Sequence, residues 1–141
     1  MKKIFVLATV MLVTGGAIGI AWSQNESPIS KLPFSASRTA GNTLYVSGQV
    51  PVTPEGDPVT DSVSAQTHQV MRNVETVLNA QGYDFSDVVK VTVYLKSMDD
   101  YQEMNTAYAS YFDGAYPARE CVGGLEIAFG LNIEISCIAY K

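Results

Sequence analysis

The chain has 141 residues, of which 47% are hydrophobic and 16% charged, and this balance can supply the core of one globular domain. Its 9 basic and 14 acidic side chains give a formal charge of −5, and removal of residues 1–23, which hold two lysines and no acid, would leave 7 against 14, or −7. Such a surface repels the phosphates of nucleic acids, so we expect no nucleic acid partner, and an anionic substrate would need a local cation.

The N-terminal segment has the pattern of an export signal. Lys2 and Lys3 precede an apolar run, and Ala21 and Ser23 have the small-x-small spacing at which signal peptidases cleave. We expect cleavage after Ser23, a mature domain of residues 24–141, and a periplasmic or secreted protein without membrane contact after cleavage. The alternative is an uncleaved anchor, because residues 4–21 are nearly long enough to span a bilayer.

Turn residues and hydrophobic periodicity divide the rest of the chain. A polar leader over residues 24–38 should cover a sheet edge. After it, the patterns predict a strand over residues 43–50, a helix capped by Asp61 or Ser62 and running to about residue 80, a strand over 88–96, and a helix capped by Asp99 or Asp100 and running to about 112. Residues 120–126 and 131–140 are predicted to form a terminal hairpin around "AFG".

This order of elements predicts an α+β domain with two helices on one face of a mixed sheet. The predicted elements leave the other face of the sheet uncovered. A small domain with an uncovered sheet face is expected to associate with itself through that face, usually as a closed cyclic oligomer.

Strand parity suggests a polar site in the last two strands, because alternate residues point to opposite faces. Arg119 and Cys121 share one face, and we expect the register that places Glu134 on that face, since it keeps both charges out of the helix-packed core. Arg119 could hold a carboxylate through two hydrogen bonds, and Glu134 could activate a water. The alternative is an Arg119–Glu134 ion pair at a subunit contact, with no catalytic role. In this register Cys121 and Cys137 lie on opposite faces, so we expect no disulfide between them.

Other chemistries have less support in the sequence. Cys121 has no neighbouring base that would make a thiolate. His68, the one histidine, has no second ligand at metal-binding spacing and is expected to be a solvated helix residue, so we expect no metal site. No dinucleotide or phosphate-binding fingerprint is present, and we expect no cofactor.

Five stretches in order, "LPFSAS", "LYVSGQV", "QTHQVMRNVETVLNAQGYDFSDVVKVTVYLKSMDDYQEMNTAYASYF", "PARECV" and "IEISCIA", resemble the RidA/YjgF family of imine deaminases over residues 31–140. The resemblance implies a chorismate-mutase-like fold, a homotrimer with a central barrel, and sites in clefts between subunits. It also implies that Arg119 binds the carboxylate of a 2-imino or 2-enamino acid, such as 2-iminopropanoate or 2-iminobutanoate, and that Glu134 lies near the hydrolytic water. The remaining residues implied to line the cleft are Phe34, Ser47, Gly48, Asn105 and Cys121.

The sequence also departs from the family pattern. Phe34 stands where the family has a tyrosine, Glu120 where a serine is common, and "GGLEIAFG" replaces the usual hairpin segment. The connection from Asn105 to Arg119 is short. The leading hypothesis is an enzyme that hydrolyses imines to 2-oxo acids and ammonia. The alternatives are a non-catalytic protein that binds small carboxylates or amino acids, favoured by Phe34, and a holdase-like protective protein outside the cytoplasm.

Overall fold

The structure, a computed structural model, describes residues 33–141. The predicted export signal, its cleavage site and residues 24–32 of the leader lie outside the described residues. The described part forms five β-strands and two α-helices: β1 (Ser37–Ala40), β2 (Thr43–Gln49), α1 (Val63–Ala80), β3 (Val88–Leu95), α2 (Tyr101–Ala109), β4 (Ala118–Val122) and β5 (Ile133–Tyr140). None of the described helices is long and apolar enough to cross a membrane.

The strands make one mixed sheet in the order β1-β2-β5-β3-β4. β3 and β4 are parallel, and the other neighbours are antiparallel. The edge strand β1 contains only the last two residues of the predicted leader, Ser37 and Arg38, and it pairs with β2 through a two-residue turn at Gly41 and Asn42. The sequence "SRTA" did not predict this strand, because it is short and polar.

Helix α1 begins and ends where the sequence predicts. The Ser62 hydroxyl accepts a hydrogen bond from the Ala65 amide at 3.1 Å, which satisfies one of the free N–H groups of the first turn. The buried face of the helix packs on the sheet and includes Val63, Val70, Met71, Val74 and Leu78.

Helix α2 is shorter than predicted. A 3₁₀ turn over Met98–Asp100 precedes it, and Ser97, rather than an aspartate, accepts the hydrogen bond that caps this turn. Asp100 occupies the N-cap position of α2 without a side-chain hydrogen bond. The regular helix ends at Ala109, before the glycine and proline that precede β4. Glu103 ties the two helices together, since its carboxylate accepts a 2.7 Å hydrogen bond from the Ser64 amide.

The predicted terminal hairpin is wrong. β4 pairs with β3, and β5 lies between β2 and β3 in the centre of the sheet. Gly123 and Gly124 end β4. A side chain at Gly123 would overlap that of Met98, and Gly124 has φ +80°, which favours glycine. The chain between β4 and β5 therefore runs from the edge of the sheet to its centre, instead of reversing directly onto β4.

The helices cover only one face of the sheet, as predicted. Alternate residues of β5 are buried beneath the helices: Ile133, Ile135, Cys137 and Ala139. The opposite face, called the open face below, is covered by no element among residues 33–141. It carries exposed or half-buried side chains that include Tyr45, Lys90, Thr92, Glu120, Glu134, Ser136, Ile138 and Tyr140.

Candidate active site

One face of α2 holds the guanidinium of Arg119. Tyr101, Met104, Asn105 and Tyr108 have the i, i+3, i+4 and i+7 spacing that puts side chains on the same side of a helix. Nη2 of Arg119 donates to Oδ1 of Asn105 at 2.6 Å and to the Tyr101 hydroxyl at 3.4 Å, and Nη1 lies 3.9 Å from the Met104 sulfur. The helix thus fixes the position of an arginine that projects from the edge strand β4.

Two aromatic rings complete this setting. The Arg119 Cζ lies 4.7 Å from the centroid of the Tyr108 ring and 5.8 Å from that of Tyr101, which is within cation–π range. Tyr108 is 4% exposed, and its hydroxyl is the one fully buried side-chain polar atom in the described part that lacks a hydrogen-bond partner. Burial raises the pKa of Tyr108 to about 12, although the charge of Arg119 acts in the opposite direction. Tyr108 therefore stays neutral.

No carboxylate among residues 33–141 neutralises the charge of Arg119. Its partners are an amide, a hydroxyl, a thioether and two rings, and within residues 33–141 the ion pairs are Lys90–Glu120 and Lys141–Asp87. Arg119 and Asn105 line an open cavity of about 370 Å³ together with Tyr108, Ala109, Tyr116 and Pro117. A guanidinium with spare donors at the wall of a cavity is suited to bind a carboxylate.

Glu134 lies on the opposite face of the sheet from Arg119, so the predicted register is wrong. Val91 of β3 is paired with Arg119 on one side and with Cys137 on the other, which puts these three residues on the helix-covered face. Glu134 is three residues before Cys137 in β5, and because successive residues of a strand alternate between faces, it lies on the open face. The expectation failed because it took a guanidinium on the helix side to be unpaired, whereas α2 supplies polar partners there.

The carboxylate of Glu134 occupies the space beside Gly48. A Cβ atom at position 48 would overlap the Glu134 carboxylate and would lie 3.1 Å from its Cγ. The side chain is half-buried and accepts no hydrogen bond from residues 33–141, and burial raises the pKa of Glu134. The absence of a side chain at Gly48 is therefore what allows Glu134 this position.

Ser47 directly precedes Gly48 in β2, and Phe34 lies in the chain before β1. The Ser47 hydroxyl donates a 2.6 Å hydrogen bond to the carbonyl of Ser35, which fastens the chain before β1 to β2. Phe34 is 59% exposed. The predicted site residues thus fall into two groups within one chain: Arg119 and Asn105 on the helix side, and Glu134 beside Gly48 on the open face.

The cysteines lie on the same face, contrary to the sequence expectation. Cys121 follows Arg119 by two residues on the same face of β4 and packs against the core, and burial raises the pKa of its thiol. Cys137 is buried, and burial raises its pKa to about 12. Both thiols are free. They belong to β4 and β5, which are separated by β3 and hence by about 10 Å, too far for a disulfide.

Within the described part of the chain, no group of three His, Cys, Asp or Glu side chains is placed to hold a metal ion. His68 is half-buried rather than solvated, and its Nδ1 lies 3.0 Å from the Tyr111 hydroxyl. Sequence reasoning missed Tyr101, Met104 and Tyr108 as partners of Arg119. Their spacing around Asn105 was a usable signal, but Met104 and Tyr108 were interpreted only as helix core.

Comparison with known proteins places the chain in a family. A family model described as Endoribonuclease L-PSP matches residues 24–141. A RutC family protein of Pyrococcus horikoshii is 44% identical over 110 residues, which cover 77% of this chain and 87% of the relative. The chloroplastic Reactive Intermediate Deaminase A of Arabidopsis thaliana is 37% identical over 118 residues, which cover 83% of this chain and 63% of the relative. The crystal structure of E. coli TdcF with bound serine matches with a TM-score of 0.74 and 30% identity, over 77% of this chain and 88% of that one. The chain therefore belongs to the Endoribonuclease L-PSP family, which is the YjgF/RidA family.

Proposed function

We propose that the protein hydrolyses 2-imino and 2-enamino acids to 2-oxo acids and ammonia, in sites formed between the subunits of a homotrimer. The observation that carries this proposal is Arg119, which neutral groups hold at the wall of a cavity and which has no carboxylate partner within residues 33–141. The name of the Arabidopsis relative and the serine bound to E. coli TdcF support a substrate of this class.

The placement of Glu134 supports a site shared between copies. Arg119 and Glu134 lie on opposite faces of one sheet, so within a single chain they cannot act on the same small molecule. A second copy could bring its own Glu134 to the cavity of the first. The exposed apolar side chains of the open face, among them Tyr45 and Tyr140, support the same association, because burying them is favourable.

In the proposed reaction, Arg119 binds the substrate carboxylate and thereby fixes the position of the C=N bond. Glu134 takes a proton from a water as the water oxygen bonds to the imine carbon, and it returns this proton to the nitrogen as the second C–N bond opens, which gives a carbinolamine. Glu134 then moves the hydroxyl proton of the carbinolamine to its amino group, so that the C=O bond forms as the C–N bond breaks and ammonia and the 2-oxo acid are released. Burial raises the pKa of Glu134, which makes its carboxylate a stronger base. This reaction requires no metal or cofactor.

The direct test is hydrolysis of 2-iminopropanoate, generated in the assay by an amino acid oxidase acting on alanine. Arg119→Lys should lose most of the activity, because an ammonium keeps the charge but not the planar pair of donors. Arg72→Lys is the matched control, since Arg72 lies on α1 and donates to Gln69. Equal activity of the parent and Arg119→Lys would contradict the proposal.

A second candidate is a protein that binds small carboxylates without turning them over. Phe34 favours it, because no hydroxyl is available at this position. Binding of pyruvate that is lost in Arg119→Lys, with no imine hydrolysis by the parent, would support binding alone. RNA cleavage, which the family description names, is not proposed, because the strongly acidic domain disfavours binding to a phosphate backbone.

We also propose that residues 1–23 direct export and are then removed. The support is the sequence pattern around Ala21 and Ser23. Mass spectrometry of protein recovered from outside the cytoplasm of a bacterial host should give a chain that begins at Gln24. A full-length chain in the membrane fraction would favour the anchor instead.

A further inference from the structure

The cavity beside Arg119 has one polar end and an otherwise apolar wall. Arg119 and Asn105 form the polar end, and the wall consists of Tyr108, Ala109, Tyr116 and Pro117. Among the described residues of one chain, no acidic group and no second cation lines it. If Arg119 binds a carboxylate, the substituent on the neighbouring carbon therefore meets aromatic and aliphatic surface.

Tyr116 is the exposed part of this wall. It is 59% exposed and lies in the segment of residues 110–117, which connects α2 to β4. Its ring packs edge-on against Phe112, with centroids 6.0 Å apart. Phe112 in turn contacts Phe85 at 5.4 Å and Tyr108 at 4.9 Å. A continuous aromatic cluster thus runs from Tyr116 to the ring beneath the Arg119 guanidinium, and this cluster supports the Tyr116 ring from behind.

The cavity has room for more than a carboxylate. Its volume within one chain is about 370 Å³, which lies in the range of small-molecule sites, about 300–1,000 Å³. A substrate side chain can therefore extend from the carboxylate along the apolar wall.

We propose that this wall makes the protein prefer 2-imino acids with a large apolar side chain, above all an aromatic one, and that Tyr116 determines the preference. This inference rests on the proposed function, because Arg119 must hold the carboxylate for the side chain to reach Tyr116. The physical basis is apolar burial together with an aromatic pair, which adds to the effect of burial alone.

The test compares imines generated by an amino acid oxidase from phenylalanine and from alanine. The parent should have the higher kcat/KM for the phenylalanine-derived imine. Tyr116→Ala should lower that value about tenfold or more while changing the value for the alanine-derived imine less than about twofold. Tyr116→Phe should retain the parent's preference. Phe129→Ala, at an exposed aromatic outside this cavity, is the control and should change neither value.

Calorimetry with the 2-oxo acid products tests the same preference without turnover. Phenylpyruvate should bind more tightly than pyruvate, and Tyr116→Ala should abolish the difference. If the parent hydrolyses no imine but shows this binding pattern, the proposed catalysis fails and the side-chain preference stands. If the parent hydrolyses both imines but favours the smaller, or if Tyr116→Ala lowers both values equally, the preference is wrong and the proposed function stands. Failure to bind either 2-oxo acid would overturn both.

Discussion

Mixing two inactive variants tests whether Arg119 and Glu134 act together across a contact between copies. Arg119→Ala removes the carboxylate anchor, and Glu134→Gln keeps the shape of the side chain but removes the base. The two residues lie on opposite faces of one sheet. A shared site must therefore take Arg119 from one copy and Glu134 from its neighbour.

The expected recovery follows from this arrangement. When the two variants are unfolded together in equal amounts and refolded, a site is intact only if the first copy carries Glu134→Gln and the second carries Arg119→Ala. Random assembly gives this combination in about one quarter of the sites of a cyclic trimer. Imine hydrolysis should therefore rise from near zero to about a quarter of the parent activity.

A second mixture serves as the control. The parent and the Arg119→Ala/Glu134→Gln double variant, refolded together in equal amounts, should give about a quarter of the parent activity if the site is shared and about half if each chain has its own site. Light scattering should report about three times the chain mass in every sample. Recovery of nothing in the first mixture and of half in the second would refute a shared site.

Three further substitutions give separate predictions. Gly48→Ala should displace the Glu134 carboxylate, because a Cβ atom there would overlap it. Denaturant unfolding should show a free energy of unfolding lower by only about 0.5–1.5 kcal/mol, which is the cost of an off-rotamer side chain. The rate of imine hydrolysis should fall about 10²- to 10⁴-fold. An unchanged rate in Gly48→Ala would argue against a role for Glu134. Burial raises the pKa of Glu134 in the folded protein, so the folded state favours the neutral carboxyl over the carboxylate. The stabilising contribution of the neutral form is full below the pKa of the unfolded state and is lost as the pH rises through the pKa of the folded state. Glu134→Gln should therefore be more stable than the parent at pH 7 and lose this advantage at pH 4, and thermal unfolding that shows the reverse order would contradict this reasoning. Tyr108→Phe should unfold with a free energy about 1 kcal/mol higher, because the hydroxyl it removes is buried without a partner; a clear loss of stability would mean that the hydroxyl has a partner in the assembled protein.

The sequence was a good guide where local patterns decide the structure. The Ser62 cap, the spacing of apolar residues through α1 and the β-branched run of β3 all gave elements close to those observed. The presence of helices on one face of the sheet followed from the order of these elements. Such features depend on neighbours a few residues away, and the patterns record them directly.

The pairing of the last two strands could not be obtained in the same way. A hairpin between residues 120–126 and 131–140 is the simplest expectation, but β4 reaches its place through α2 and pairs in parallel with β3. The face on which Arg119 lies depended on this pairing and on polar partners from α2, both of which are tertiary features. The resemblance identified Arg119, Asn105 and Glu134 as site residues, yet it was the strand register that separated them into two groups.

The position of β5 affects how the protein is made. Residues 133–140 leave the ribosome after the other four described strands, and they occupy the centre of the sheet between β2 and β3. Until that segment is available, β2 and β3 have no common neighbour, and the buried row from Ile133 to Ala139 is missing from the core. The domain therefore cannot complete its core until residues 133–140 have emerged. If residues 1–23 direct export, as proposed, this delay keeps the chain suitable for a translocation channel that accepts only unfolded polypeptides.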